Sequence, residues 1–134
     1  MTRKNIFMLF LDVPYYRAWF ADYCRTFYFD DPDDQKNILL KQDHTERVRQ
    51  NAVLIAQGLG LSGRDVALAE LAGLFHDVGR FPQYRDHRTF RDSTSVNHAA
   101  LSAKVLVEHN VLAALPKEER DCLVRAVALH NVFT

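Results

Sequence analysis

The sequence predicts an all-α domain of about five or six helices, on three observations. Apolar residues recur at steps of three and four through most of the chain, the spacing that gathers them on one helix face. Strict alternation is short wherever it occurs, and no Asn-Gly or Asp-Gly pair marks a hairpin. Glycine and proline fall between the periodic runs, at Gly58, Gly60, Gly79 and Pro116. A length of 134 residues suits one domain with a single core.

The first helix carries Tyr16, Trp19, Phe20, Tyr23 and Phe27 on one face, an aromatic stripe read as core packing rather than a ligand cage. The acidic run Asp30-Asp31-Pro32-Asp33-Asp34 is expected to end it as a solvated loop. A second helix is expected to start near His44, capped by Asp43 with Glu46 three residues on. Val48, Ala52, Ile55 and Leu59 would form its buried stripe, and Gly58 and Gly60 would stop it. His44 lies four residues before Val48, on the same face.

The third helix spans about Arg64 to Val78 and is apolar enough to be buried on most sides. A loop is expected from Gly79 to Asn97, carrying Arg80, Arg85, Arg88 and Arg91, and loops of that length are often functional. The fourth helix covers about His98 to Glu108. The fifth begins after Pro116 and bears Leu123, Ala126, Val127 and His130.

Composition narrows the class of function. Apolar residues at 48% and charged residues at 25% match folded globular chains, so wholesale disorder is excluded. Seventeen basic and 17 acidic residues cancel, which argues against nonspecific nucleic-acid or membrane-surface binding as the main activity. Cys24 and Cys122 form no C-x-x-C pair and read as reduced core thiols. Arg3 and Lys4 precede an apolar run from Ile6 to Leu11, but Asp12 interrupts it and no small-residue cleavage site follows. No segment approaches the ~20 apolar residues of a membrane span, so a cytoplasmic location is expected.

The chemistry concentrates in histidines. His44, His76, His98 and His130 each lie on or beside the apolar stripe of a different helix, and Asp77 follows His76 directly. One such histidine is more often a satisfied core residue. Four, with a carboxylate, fit the internal metal sites that facing helices build. Imidazole and carboxylate together suit Zn, Mn, Fe, Co or Ni. Adjacent helical residues point about 100° apart, so His76 and Asp77 can share an ion only where the helix ends, as Gly79 suggests. His87 and His109 read as surface residues.

These residues resemble the HD-domain superfamily of metal-dependent phosphohydrolases, named for the doublet His76-Asp77. The resemblance covers residues 40 to 134 and rests on "HTERV", "LFHDVGRFPQY", "NHAALSAKVL" and "ALHN", in that order; these phrases look like a bacterial branch of poorly defined substrate. It implies an HD-type helical bundle over residues 1–134, an aromatic-rich helical segment at 1–40 before the HD core at 41–134, and a divalent ion (Mn, Zn, Fe, Co, Ni or Mg). It also implies hydrolysis of phosphate esters or anhydrides of a small phosphorylated molecule, commonly a nucleotide. Carried over by position, His44, His76 and Asp77 match metal ligands. His98 and His130 match ligands of a second ion, with Asp77 bridging. Asp77 and Arg80 are the catalytic candidates, Arg80 standing where many members place a phosphate-contacting Lys.

The sequence departs from the family pattern in one respect: the motif's final Asp, on a later helix, has no counterpart, and Asp121 precedes His130. The expectation is a core truncated at its C-terminal end, which would hold metal weakly. A non-catalytic nucleotide- or protein-binding module is therefore the alternative, and an iron oxygenase on the same scaffold is a third reading. Asp92 is expected either to orient a ligand histidine or to bond locally to Ser93–Ser95.

Overall fold

A computed structural model describes residues 11–132. The described residues form six α-helices: α1 Val13–Arg25, α2 Pro32–Gly58, α3 Gly63–Phe75, α4 Arg80–His87, α5 His98–Glu108 and α6 Lys117–Leu129. One 3₁₀ turn covers Asp92–Thr94, and no strand occurs among the described residues. The expected all-α class holds. The run beginning at Ile6, with Arg3 and Lys4, lies almost wholly outside the described residues.

Local chemistry explains the starts. Asp12 accepts from the Tyr15 N–H at the head of α1, and Pro14 occupies its first turn. Asp31 accepts from the Asp34 N–H and Pro32 takes the first position of α2, where its missing N–H costs nothing. The acidic run therefore opens α2 and is not a passive loop, and α2 begins twelve residues before His44. The division expected near residue 40 falls inside this continuous helix. Ser62 caps α3 and Asn97 caps α5, each accepting from N–H groups of the first turn. Gly60, at φ +71°, turns the chain out of α2.

The core is aromatic on the α1 side. Tyr16 and Phe75 meet edge to face at 6.0 Å, as do Phe20 and Phe81 at 5.9 Å. Of the expected stripe on α2, Ile55 and Leu59 are exposed instead, at 64% and 71%. The buried face of α2 is Ile38, Thr45, Arg49 and Ala56. Arg49 is tolerated there because its guanidinium donates to Glu46 and, at 2.5 Å, to Glu70 of α3. The two backbones approach closely at Gly73, where a Cβ would stand 3.1 Å from the Arg49 Cα.

Two further expectations change. The segment from Gly79 to Asn97 is not one loop, because α4 and the 3₁₀ turn occupy much of it. Phe81, Pro82, Gln83 and Tyr84 bury the first half of α4, while Arg85, Asp86 and His87 leave its end in water. Cys24 is buried as expected, whereas Cys122 is exposed. No helix among the described residues is long and apolar enough to cross a membrane.

Candidate metal centre

α3 ends where the doublet begins: Phe75 is its last residue and His76 its C-cap, so Asp77 sits in a turn rather than on the helix. Three bonds hold that turn. The buried Tyr23 hydroxyl donates to the Val78 carbonyl at 2.8 Å. The Gly79 N–H donates to Ser102 Oγ at 2.8 Å, and Ser102 donates in turn to the His98 carbonyl at 2.7 Å. Gly79 lies so near α5 that a Cβ would fall 2.6 Å from the Ser102 nitrogen and 2.7 Å from the His98 oxygen. The doublet turn is thus pressed directly onto the first turn of α5, which carries His98.

The four helix-borne histidines converge on Asp77. His44 Nε2 and His76 Nε2 stand 3.5 and 3.3 Å from its Oδ2. His98 Nε2 and His130 Nε2 stand 3.3 and 3.4 Å from its Oδ1, and 2.9 Å from each other. The carboxylate is 3% exposed, and Oδ1 has no hydrogen-bond donor. Leaving a buried charge in that state is costly.

The ring orientations decide what belongs between these atoms. His76 Nδ1 faces the Gly73 carbonyl and His130 Nδ1 faces the Val127 carbonyl, both at 2.7 Å. A carbonyl can only accept, so each Nδ1 carries its proton and each neutral ring turns a lone pair inward through Nε2. His98 Nδ1 meets the Asp92 carboxylate at 2.7 Å, with the same result. With the rings neutral, lone pairs would face lone pairs and a carboxylate across 2.9 to 3.5 Å. Donors about 2 Å from one ion lie roughly 2.8 to 3.3 Å apart at octahedral to tetrahedral angles. The residues fit a divalent ion. They form two groups sharing Asp77: His44, His76 and Asp77, and Asp77, His98 and His130.

With no ion between them, protons on the rings would take its place: burial pushes the Asp77 carboxyl up, while donation from His130, His76 and His98 holds it below the ordinary carboxylate range. The Asp77 carboxylate raises His130 against the opposing pull of burial, marking a point that favours positive charge.

Behind this shell lies a second layer. Asp92 Oδ1 accepts from Arg80 Nη1 and Gln83 Nε2, both at 3.0 Å, while Oδ2 accepts from the His98 N–H at 3.2 Å as well as from its ring. Of the two expectations for Asp92, the one that orients His98 matches this geometry. Arg80 lies beside the centre, its Nε 3.9 Å from Asp77 Oδ1. Its Nη1, however, is engaged by Gln83, the Phe90 carbonyl and Asp92. Arg85 pairs with Asp86 and Arg88 with Asp34, both on the surface. His87 and His109 are exposed as expected, although the His109 ring stands edge-on to Trp19 and Tyr23. Sequence reasoning missed Gln83, fully buried, and Lys41; the latter's spacing of three from His44 was the available signal.

The fold is one of packed helices with histidines and a carboxylate that could hold a metal converging at its centre. The HD-domain family model matches residues 42–133, more than half of the chain, and the chain belongs to that family. The family lies within a superfamily of metal-dependent phosphohydrolases. Neither a curated protein nor a solved structure matches the chain.

Proposed function

We propose that the chain is a metal-dependent phosphohydrolase. His44, His76 and Asp77 would hold one divalent ion, and Asp77, His98 and His130 a second. The substrate is a small phosphorylated molecule of the nucleotide class. One observation carries this reading: four imidazole Nε2 atoms gather within 3.5 Å of the oxygens of one buried carboxylate.

Bound divalent ions supply hydroxide at neutral pH, by lowering the pKa of water toward about 7, and neutralise phosphoryl charge. The chain's own residues prepare for that chemistry. The Gly73 and Val127 carbonyls keep the Nδ1 protons of His76 and His130 turned away from the centre. Asp92 does the same for His98, and Arg80 and Gln83 hold Asp92. Arg80 balances negative charge beside Asp77. Asp77 is buried by its turn, which leaves its charge to be satisfied by cations rather than by water.

The test combines metal analysis with phosphate release from nucleoside mono-, di- and triphosphates in the presence of Mn or Zn. Wild-type protein should bind added Mn or Zn and release phosphate, and Asp77→Asn should lose at least about 100-fold in turnover, as expected when a charge central to transition-state stabilisation is removed. Wild-type protein that holds no metal and releases no phosphate would instead fit a binding module. Metal-dependent oxygen uptake without phosphate release would fit an oxygenase.

A further inference from the structure

A second cation stands near this centre besides Arg80. Lys41 lies on α2 three residues before His44, hence on nearly the same helix face. Its ammonium rests over the Phe90 ring, 4.8 Å from the centroid. Phe90 is tied to the centre through its carbonyl, which accepts from Arg80 Nη1 at 2.7 Å. Lys41 thus belongs to the wall that Arg80 and Asp77 form, and it is half-buried there. The charges that act on it most are Arg80 and Asp77 themselves; burial, reinforced by Arg80, pushes its ammonium down.

Lys41 takes part in no hydrogen bond or ion pair among the described residues. An ammonium on an aromatic face has spent none of its three N–H donors on an acceptor. Those donors reach water and are open to an incoming anion. Arg47, the cation on the other side of His44, is exposed. Arg80 already gives Nη1 to three acceptors. The ligand wanted at Lys41 is an anion adjoining two metal sites.

We propose that Lys41 binds the non-bridging oxygens of the substrate's phosphoryl group, and that the site takes phosphate monoesters in preference to diesters. This rests on the phosphohydrolase reading of the centre. A monoester is nearly dianionic at neutral pH, since its second pKa is about 6, and so carries charge for both the metal centre and the ammonium. A diester carries one charge and blocks an oxygen that Lys41 would bind.

The test uses the 134-residue chain loaded with Mn, and the variants Lys41→Met and Lys41→Arg. Inorganic phosphate binding is measured by calorimetry, and kcat/KM is measured with p-nitrophenyl phosphate and bis(p-nitrophenyl) phosphate. Met keeps the apolar stem over Phe90, and unchanged Mn affinity in each variant shows that the centre is intact. Lys41→Met should weaken phosphate binding and lower monoester kcat/KM on the order of tenfold to a hundredfold, with a smaller loss on the diester. Lys41→Arg should recover most of both. Phosphate binding equal in wild type and Lys41→Met, or none in wild type, overturns the assignment. Equal losses on monoester and diester overturn the monoester preference. If wild type hydrolyses neither ester yet Lys41→Met still loses phosphate binding, Lys41 stands as an anion site and the hydrolase reading falls.

Discussion

Asp92 meets His98 twice, through the backbone N–H at 3.2 Å and through ring Nδ1 at 2.7 Å. It is itself held by Arg80 and Gln83, so the imidazole has little freedom to turn. Burial pushes the Asp92 carboxyl up, but the bonds from His98 and Gln83 keep it below the ordinary range, which leaves it ionised as a partner. Asp92→Asn can still cap the His98 N–H but offers the ring a weaker and flippable acceptor. Metal affinity should fall by about 10- to 100-fold while the circular dichroism spectrum stays unchanged. Titration with Mn or Zn reads the first, and affinity equal to wild type would remove Asp92 from the centre. At this scale the histidines were legible because each stands on a helix stripe where an imidazole needs a reason. Gln83 and Lys41 were not: an amide or an ammonium in a charged stretch looks like surface until the packing is known.

Gly79 shows how elements position the site. Its φ of −72° suits any residue, so the demand for glycine is one of space alone. The atoms a Cβ would meet include the backbone of α5, which cannot rotate aside. Gly79→Ala should therefore cost about 1–3 kcal/mol in denaturant unfolding, since overpacking forces backbone shifts. Gly63→Ala, facing open space, is the control and should cost nothing measurable. A Gly79→Ala protein as stable as wild type would mean that the turn and α5 are not in contact.

The ion pair between α3 and α6 gives a second prediction at this scale. Arg64 donates to Glu119 through Nε and Nη2, at 2.6 and 2.5 Å, between the helices that carry His76 and His130. The Arg64 bonds lower the Glu119 carboxyl, with burial opposing. A group lowered on folding stabilises above its unfolded value, about 4.3 for glutamate, and loses that contribution as pH falls through the folded value. Urea unfolding should find Glu119→Gln about 1 kcal/mol less stable at pH 7 and level with wild type near pH 3. A gap independent of pH would show that the pair does not act through charge.

The helices themselves were mostly legible, α5 to the residue, because its apolar spacing places Ser102 and Val105 on the stripe of His98. The start of α2 was not. Asp43 and Glu46 imitate a capping box in mid-helix, while the real start hides in an acidic run. α4 was lost because its buried residues, Phe81 to Tyr84, are consecutive and show no helical spacing, and four of its eight side chains are charged or imidazole.

At the scale of the whole molecule, one arrangement accounts for the architecture around the centre. α2, α3, α5 and α6 each deliver one histidine, and the doublet turn delivers the carboxylate at which they meet. Separate helices contribute to each proposed site, so ion binding would tie together parts distant in sequence. That convergence followed from the sequence once four histidines were placed on four inward faces. The pairing about Asp77 required the coordinates, because one-dimensional spacing says nothing of which ring approaches which oxygen. The most direct measurement is an anomalous difference map from crystals grown with Mn. The account predicts two peaks about 2 Å from the Asp77 carboxylate oxygens, one beside His44 and His76 and the other beside His98 and His130. A map with no peak within about 3 Å of Asp77 would contradict it.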